Sequence, residues 1–404
     1  MIPKQGKNVF KLKKLPTDWK ACLLSEAVDI KGGSQPPKKV FKTEMQEGYV
    51  RLVQIRDYKS DRFLTYVPVN STKKFCTTED IMIGRYGPPV FQILRGIEGA
   101  YNVALMKANP LNNMDRDYLY YLLSSSPVQK LVIENSQRTA GQTGVNLKLL
   151  NSCIIPLPPL NQQKKIAAIL DAADSYKQKT KTLIDKYDEL TQSLFLDMFG
   201  DPVTNPKGWD EIKLGNVCNV GSSKRVFVSE LVEEGIPFYR GTEVGKLGEG
   251  KSINPTLFIT KAHYESLKEH RGVPKQGDLL MPSICPDGRI WVVDNDKEFY
   301  FKDGRVLWVE VDLKKMNSIY LRYHLKGSFF ANYNNIASGT TFAELKIVSL
   351  KKMNVFYPNM KLQNQFAERV KAIEVQKAQA HTSLAQADNL FNSLLQKAFK
   401  GELI

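Results

Sequence analysis

The sequence is poor in the residues that bind metals and in the long apolar runs that cross membranes. Its 404 residues include only five cysteines and four histidines, with no C-x-x-C pair and no histidine spacing typical of metal ligands. These absences predict no zinc site and favour a reducing, cytoplasmic location. No run of 18 apolar residues is present, so we expect no membrane span. The basic N-terminus also lacks the apolar stretch of a secretory signal.

Motifs of common catalytic sites are missing as well. There is no G-x-S-x-G elbow for a nucleophilic serine. There is also no [DN]-P-P-[FYW] segment for amino-methyl transfer, and the nearest letters, GPPV from Gly87, lack the polar residue and the aromatic that hold an extruded base. We therefore expect no catalytic, metal-binding or cofactor-binding residues in this chain.

One phosphate-binding motif is nevertheless matched letter for letter. Residues from Gly245 to Ser252, GKLGEGKS, satisfy G-x-x-x-x-G-K-[ST]. A working phosphate loop needs a buried strand before it and a helix after it, whose N-terminus faces the phosphates. Pro255 follows closely and opposes a helix there. We interpret the segment as a surface turn and keep a nucleotide-binding enzyme as an alternative.

What the sequence does contain is the same design written twice. LPTDWKACLLSEAVDIKGG, YLYYLL and IPLPPLNQQKKIAAILD in the first half find counterparts in NPKGWDEIKLGNVCNVGSS, YLRYHL and YPNMKLQNQFAERVKAI in the second. A repeat of this length means two copies of a whole domain with its linker. The expected equivalent pairs are Trp19 with Trp209, Leu24 with Leu214, Tyr118 with Tyr320, Pro156 with Pro358, and Gln163 with Gln365.

Each copy ends in a long helix with apolar residues at alternating steps of three and four, the seam of a coiled coil. The first helix is predicted over 160–199, with Ile166, Ile169, Ala173, Tyr176, Thr180, Leu183, Tyr187, Leu190 and Leu194 in its seam. The second is predicted over 362–404, with Phe366, Val370, Ile373, Lys377, Ala380, Leu384, Ala387, Phe391, Leu394 and Ala398. The two seams match in length and predict an antiparallel pair, although each could instead bind a partner protein.

These observations predict an α+β fold in which two similar globular domains are joined by an antiparallel coiled coil with pseudo-two-fold symmetry. The expected divisions are a basic arm (1–15), a first globular domain (16–159), a central spacer helix (160–200), a second globular domain (201–360) and a C-terminal spacer helix (361–404). Short β-type runs punctuated by Gly and Pro fill the globular parts.

The net charge of +15 lies mainly in the globular parts. The first helix holds six Lys against six Asp or Glu, and residues 362–404 hold five basic against four acidic residues. The rest of the chain therefore carries 46 basic and 32 acidic residues. An excess of this kind is typical of proteins that bind a polyanion, with nucleic acid first among the candidates.

Basic and polar residues near aromatics and glycines are the candidate DNA contacts. Arg binds guanine bidentately, Gln binds adenine, and Lys mostly contacts phosphate. In the first half the candidates are Lys38, Lys39, Arg51, Gln54, Arg56, Arg85, Tyr86, Arg95, Arg138, Gln142 and Thr143. In the second half they are Lys224, Arg225, Arg240, Thr242, Lys261, Arg271, Arg289, Arg305, Thr340 and Thr341.

The Trp19 opening, the YLYYLL helix, the I-P-L-P-P-L-x-x-Q-x-x-I helix entry from Ile155 to Ile166 and the duplicated layout together resemble the specificity subunit of type I restriction–modification enzymes. The resemblance covers nearly the whole chain, and the second helix entry is degraded. It implies a non-catalytic subunit with two target recognition domains, each reading half of a bipartite, asymmetric site in double-stranded DNA. It also implies spacer helices that set the gap and dock two methyltransferase subunits.

The same resemblance assigns S-adenosylmethionine, ATP and Mg²⁺ to partner subunits, among them the restriction and translocase subunits. Base-contacting residues do not carry over, because reader sequences vary strongly within such families. Besides the nucleotide-binding enzyme, two alternatives stay open. One is a specificity subunit of a related single-chain restriction–modification system, and the other is a scaffold whose coiled coil joins proteins without reading DNA.

Overall fold

The structure, a computed structural model, describes residues 3, 5–12, 15–87, 89–111, 113–139, 142–337 and 343–404. The chain divides into two compact units. The first comprises Met1–Lys181 and Thr382–Ile404, and the second comprises Thr182–His381. Each unit therefore combines a globular part with segments of both long helices, α5 (Leu160–Phe199) and α11 (Met360–Lys400).

The first unit is α+β. Its strands are β1 (Lys20–Leu23), β2 (Val28–Gly32), β3 (Tyr49–Val53), β4 (Tyr66–Pro68), β5 (Phe75–Cys76), β6 (Ile81–Gly84), β7 (Ile93–Leu94), β8 (Gly99–Tyr101), β9 (Leu105–Pro110), β10 (Gln137–Thr139), β11 (Gln142–Gly144) and β12 (Ile154–Leu157). Its shorter helices are α1 (Leu24–Ala27), α2 (Arg116–Ser124), α3 (Ser126–Glu134) and α4 (Leu147–Asn151). Two four-stranded sheets, ordered β2-β9-β6-β7 and β4-β3-β8-β5, form its body.

The second unit repeats this plan. Its strands are β13 (Glu211–Lys213), β14 (Cys218–Gly221), β15 (Ile236–Tyr239), β16 (Phe258–Ile259), β17 (Leu279–Pro282), β18 (Trp291–Val292), β19 (Tyr300–Phe301), β20 (Val306–Val311) and β21 (Asn354–Phe356). Its shorter helices are α6 (Leu214–Val217), α7 (Gly241–Gly248), α8 (Lys261–Arg271), α9 (Ser318–Ile336) and α10 (Ile347–Lys352). The sheet order β14-β20-β17-β18 matches β2-β9-β6-β7, and β16-β15-β19 matches β4-β3-β8.

The equivalent strands share burial as well as order. β6 and β17 each lie between two neighbours and are buried at every residue, which explains why both are continuous apolar segments rather than alternating ones. In the second sheet, β3 pairs with β8 in parallel, and β15 pairs with β19 in parallel. A parallel pair in the same place of both units is strong support for the duplication.

Repeated side-chain hydrogen bonds fix which residues are equivalent and correct one expected pair. The Tyr118 hydroxyl donates to the Pro156 carbonyl at 3.0 Å, and the Tyr320 hydroxyl donates to the Phe356 carbonyl at 3.1 Å. The tyrosine pair is therefore confirmed. The structural counterpart of Pro156 is Phe356, two residues before Pro358.

A second expected pair, Gln163 with Gln365, is also wrong by two residues. The side-chain carbonyl of the buried Gln163 accepts the Asp115 N–H at 2.8 Å, and the side-chain carbonyl of the buried Gln363 accepts the Asn317 N–H at 2.8 Å. The amide of Gln163 donates to the Pro158 carbonyl, as the amide of Gln363 does to the Pro358 carbonyl. Gln365 is exposed. Each buried glutamine joins the start of a long helix to the start of α2 or α9.

The long helices begin and end in the same way. α5 spans the predicted residues, whereas α11 begins at Met360, two residues before the expected start. Gly200 (φ 82°) follows α5 and Gly401 (φ 76°) follows α11. Both glycines adopt the left-handed conformation that terminates helices. No described helix is long and apolar enough to span a membrane.

In each unit the two long helices run antiparallel. In the first unit, Lys177 lies 3.8 Å from Asp388 and its ammonium 4.4 Å from the ring centroid of Phe391. In the second unit, Lys377 forms an ion pair with Asp188, and Phe366 packs on Phe195 with ring centroids 5.6 Å apart. Residue numbers thus fall along one helix as they rise along the other. We call the pairs Lys177–Asp388 and Lys377–Asp188 the seam ion pairs; the two lysines are 200 residues apart in sequence, and so are the two aspartates.

The seam predicted for α11 falls on buried and half-buried positions, with Lys377 half-buried, but the seam predicted for the middle of α5 is wrong. Tyr176, Leu183 and Leu190 are 54%, 43% and 50% exposed. The positions one residue later, Lys177, Ile184 and Thr191, are the inward-facing ones. Two of those three are polar, so a search for apolar letters at heptad spacing selects the neighbouring face.

His324 in α9 is a fully buried histidine whose role depends on the strand beside it. Its Nε2 accepts the Phe356 N–H at 3.1 Å. Leu122 is the equivalent residue of the first unit, and the strand position opposite it is Pro156, which has no N–H to satisfy. A proline in one copy and a histidine acceptor in the other are two solutions to the same local requirement.

Burial lowers the pKa of His324 to about 3, below its ordinary value of 6.5. The unfolded chain therefore binds a proton between pH 6.5 and 3 that the folded chain does not, so stability is lost as the pH falls through 6.5. We expect His324 to cost about 2 kcal/mol at pH 5 relative to pH 8. Urea unfolding at both pH values would measure this loss.

The matched control is the double variant His324→Leu/Phe356→Pro, which copies the first unit. It should unfold with a pH dependence reduced by that amount. The single variant His324→Leu should lose the same pH dependence but should be less stable at pH 8, because the Phe356 N–H is left unpaired. Equal pH dependence in wild type and the double variant would contradict the assignment.

Candidate nucleic-acid interface

A cleft of about 600 Å³ in the second unit brings several candidate residues together. Its apolar floor includes Val226, Phe238 and Leu257, and its rim includes Arg240, Thr242, Lys302 and Arg305. Three cations at the mouth of an apolar cleft can hold a polyanion while apolar atoms contact base edges. We call this the reader cleft.

Arg240 stands at the edge of the reader cleft, immediately before α7. The Glu243 carboxylate accepts both the Arg240 backbone N–H and its guanidinium, each at 2.9 Å. Burial raises the pKa of Glu243, but the hydrogen bonds from Arg240 outweigh burial and lower that pKa to about 2. The carboxylate is therefore charged at neutral pH and orients a guanidinium that is itself half exposed.

Arg305 lies on the loop before β20 and is exposed. Its guanidinium pairs with Glu344, and its backbone carbonyl accepts the Ser283 N–H at 2.9 Å. Lys302, on the same loop, donates to the Val226 carbonyl at 3.3 Å. Lys302 is absent from the sequence-based candidates, although it directly follows the aromatic pair Tyr300 and Phe301, which is buried.

In the first unit, Arg51, Gln54 and Arg56 form one group beside β3. Arg51 pairs with the exposed Asp61 at 2.9 Å, and both arginines lie within 4 Å of the buried Asp57. Burial raises the pKa of Asp57. The Gln54 amide donates to Thr65 at 3.2 Å.

The exposed ring of Phe63 accompanies this group and is absent from the sequence-based candidates. The guanidinium carbons of Arg56 and Arg62 lie 5.8 and 5.1 Å from its ring centroid. Arg62 and Phe63 are adjacent in sequence. An arginine next to an aromatic residue in a loop is a sequence pattern that could have identified both Arg62 and Phe63 as candidate contacts.

Arg85 and Tyr86 form a second group in the first unit. The Arg85 guanidinium lies 5.1 Å from the Tyr86 ring centroid, and Tyr86 forms a β-bridge with Gly144 at the end of β11. Only the backbone of Arg138, Gln142 and Thr143, in the β10–β11 hairpin, is described, and the hairpin thus lies beside this group. Thr340 and Thr341, named as candidates, lie outside the described residues.

Four other candidates are exposed. Lys38 and Lys39 lie on a short 3₁₀ helix of the first unit, and no carboxylate lies within 4 Å of either among the described residues. Lys224 is exposed on the corresponding loop of the second unit. Its neighbour Arg225 pairs with Asp303 at 3.0 Å.

The remaining candidates lie apart from these groups. Lys261 pairs with Glu265 and Glu298 on α8, and Arg289 pairs with Asp287. Arg271 stacks over Trp308 at 4.4 Å and pairs with Glu310 in a separate cavity of about 630 Å³. All three engage carboxylates of the protein itself.

Arg95 is held by carboxylates and an aromatic ring of the protein itself. Its guanidinium pairs with Asp117 at 3.0 Å and with Asp171 of α5 at 3.4 Å, and it stacks on the Tyr120 ring at 4.1 Å. The Tyr121 hydroxyl also donates to Asp171, at 2.6 Å. We therefore expect Arg95 to fix the globular part of the first unit to α5 rather than to contact DNA.

The phosphate-loop motif adopts the opposite geometry to a phosphate loop. Gly245 and Gly248 are buried in the last turns of α7, so a helix C-terminus, with its carbonyls, occupies the place where a helix N-terminus would be needed. The expected surface turn begins only at Glu249, and Lys251 pairs with Glu249. Among the described residues, no three His, Cys, Asp or Glu side chains form a group that could hold a metal ion.

Comparison with known proteins gives concordant matches. The family model for the type I restriction modification DNA specificity domain matches residues 16–190 and 206–386. The chain is 23% identical over 382 residues to the type I restriction enzyme MjaVIII specificity subunit of Methanocaldococcus jannaschii, covering 89% of this chain and 87% of that protein. It is 22% identical over 433 residues to the EcoBI specificity subunit of Escherichia coli, covering 98% and 88%.

Two solved structures share the fold. The S subunit of a type I restriction-modification system from M. genitalium aligns with a TM-score of 0.54 and 18% identity, covering 96% of this chain and 98% of that one. A chain from a structural study of assembly and conformational transition in the type I R-M system aligns with a TM-score of 0.58 and 18% identity, covering 96% and 100%. The predicted fold class is confirmed.

Proposed function

The chain belongs to the type I restriction modification DNA specificity family, as the sequence resemblance predicted, and we propose that its two globular parts, 16–159 and 201–360, each read one half of a bipartite, asymmetric DNA site. The observation that carries this proposal is the repeated framework with different polar side chains in each copy. A common framework provides the same approach to a duplex, while different side chains select different bases.

Non-specific affinity comes from the positive charge of the globular parts. Each phosphate that a Lys or Arg neutralises releases counterions and makes binding steeper in salt. Lys38 and Lys39 support this role, because no carboxylate among the described residues competes for them. DNA as the partner also agrees with a cytoplasmic location.

The long helices have exposed apolar residues suited to partner subunits. In the second unit these include Leu183, Leu190 and Val375, and in the first unit Tyr176 and Leu390. Apolar side chains that repeat at heptad spacing outside the internal seam can pack against another helix. We infer that these faces dock two methyltransferase subunits, with restriction and translocase subunits joining the larger complex.

The reaction chemistry is assigned to those partners. S-adenosylmethionine, ATP and Mg²⁺ would bind there, and this chain would contribute specificity without catalysis. The phosphate-loop alternative is disfavoured because its lysine follows the C-terminus of α7. The scaffold alternative predicts no dependence on DNA sequence.

Salt titration of the assembled methyltransferase complex on a duplex that carries its site tests the proposal. Lys38→Ala/Lys39→Ala should reduce the slope of log affinity against log salt by about 1–2, because up to two phosphate contacts are lost. Lys179→Ala/Lys186→Ala, on exposed positions of α5, is the matched control and should leave the slope unchanged. DNA affinity that depends on neither the salt concentration nor the DNA sequence would reject DNA recognition and favour the scaffold alternative.

A further inference from the structure

The two units carry different side chains at one equivalent backbone hydrogen bond, just after β6 in the first unit and just after β17 in the second. We call each of these hydrogen-bonded residue pairs a rung. In the first unit the Arg85 N–H donates to the Ala104 carbonyl at 2.8 Å, and in the second the Ser283 N–H donates to the Arg305 carbonyl at 2.9 Å. Arg85 is therefore equivalent to Ser283, and Ala104 to Arg305. Each rung carries one arginine, on opposite strands of the pair.

A further hydrogen bond confirms this equivalence. The Arg85 carbonyl accepts the Val145 N–H at 3.1 Å, and the Ser283 carbonyl accepts the Leu345 N–H at 2.7 Å. The hydrogen-bonded pair therefore lies at the same place in both units, between the central sheet and the residue two positions before α4 or α10. The backbone is kept while the side chain changes completely.

A second variable position precedes the short helical segment after β3 and β15. The Gln54 N–H donates to Asp57 at 3.1 Å, and the Arg240 N–H donates to Glu243 at 2.9 Å. Gln54 and Arg240 are thus equivalent cap positions. A carboxylate, Asp57 or Glu243, accepts this N–H in both units, whereas the residue that donates it is Gln54 in one and Arg240 in the other.

In the second unit both variable positions face one space, since Arg240 and Arg305 line the reader cleft. Their side chains are 50% and 64% exposed, and among the described residues the carboxylates that pair with them are Glu243 and Glu344. Exposed ion pairs are weak. Each arginine can therefore leave its carboxylate and bind the edge of a base at little cost in free energy. In the absence of DNA, the carboxylate holds the guanidinium in place.

We propose that these two positions determine base specificity in each unit: Gln54 and Arg85 in the first, Arg240 and Arg305 in the second. The inference rests on the proposed DNA-reading function and extends it to named bases. Arg matches the two acceptors of guanine, and Gln matches the acceptor and donor of adenine. The first half-site then contains an adenine and a guanine read from these positions, and the second contains two guanines.

Reciprocal exchange in the assembled methyltransferase complex tests the inference, with selection from a randomised duplex library as the readout. Gln54→Arg should change one adenine to guanine in one half-site, and Arg240→Gln should change one guanine to adenine in the other. Arg85→Ser and Arg305→Ala should each reduce discrimination at one guanine by roughly 5- to 150-fold. In every case the other half-site should stay unchanged.

Arg289→Ala is the matched control, because Arg289 pairs with Asp287 and belongs to neither variable position. It should select the wild-type site. Melting curves of each variant separate loss of folding from loss of base recognition. Gln54→Arg removes the hydrogen bond from the Gln54 side chain to Thr65. Folded variants that select the wild-type bases in both halves would overturn the inference and leave DNA reading intact. A wild-type complex without base selectivity would instead reject the proposed function.

Discussion

Inserting four residues into α5 between Lys177 and Asp188, together with four into α11 between Lys377 and Asp388, is expected to lengthen the gap between the two recognised half-sites by one to two base pairs, because the matched insertions keep both seam ion pairs. Four helical residues add about 6 Å, and one base-pair step of DNA rises about 3.4 Å. An insertion of four residues is a stutter, which locally unwinds the coiled coil but leaves the helix continuous. Methylation mapping of DNA modified by the assembled complex measures the gap directly.

The control for this prediction is an insertion of the same length elsewhere. The exposed turn at Gly250, where φ is 73°, follows α7 and lies on neither long helix. Four residues added there should leave the gap unchanged. A gap that stays constant after the matched insertions in α5 and α11, in a complex that still methylates DNA, would show that the helices do not set the spacing.

Gln363→Ala is expected to destabilise the second unit by about 3 kcal/mol. The substitution removes the acceptor of the half-buried Asn317 N–H and the donor to the buried Pro358 carbonyl, and it leaves a cavity where the side chain was. In a unit of this size the melting temperature should fall by about 6–12 °C. Differential scanning calorimetry of the purified chain measures this change.

Gln365→Ala is the matched control, since Gln365 is a solvent-exposed glutamine one half-turn away on α11. Its melting temperature should stay within about 2 °C of wild type, because surface substitutions of this kind change stability by less than about 0.5 kcal/mol. Similar losses at both positions would mean that Gln363 has no special role in joining α11 to α9.

The duplication, the fold class and the two long helices were predictable because each leaves a local signature. Trp19 and Trp209, the tyrosine helices and the heptad steps depend on residues close together in sequence. The exact equivalences were harder to obtain. Pro358 and Gln365 matched by letter, whereas the contacts that identify Phe356 and Gln363 are hydrogen bonds to residues more than 30 positions away.

The candidate site was only partly predictable, since basic residues serve two purposes. Arg95 and Arg305 look alike in sequence, yet one is held by Asp117 and Asp171 against α5 while the other rims a cleft. Which carboxylates surround an arginine is decided by tertiary packing. Comparison of the two copies within one structure, rather than composition, identified the variable positions.

The seam ion pairs also select against wrong alignments of the two long helices. If α11 slid by one heptad, Lys177 would face Leu395 and Lys377 would face Phe195, so both ammonium groups would meet apolar side chains. A slide in the other direction would set Lys177 against His381 and Lys377 against Lys181. A seam made only of leucines would tolerate such slippage far better. The two lysines therefore lower the stability of the coiled coil but specify a single alignment of its helices.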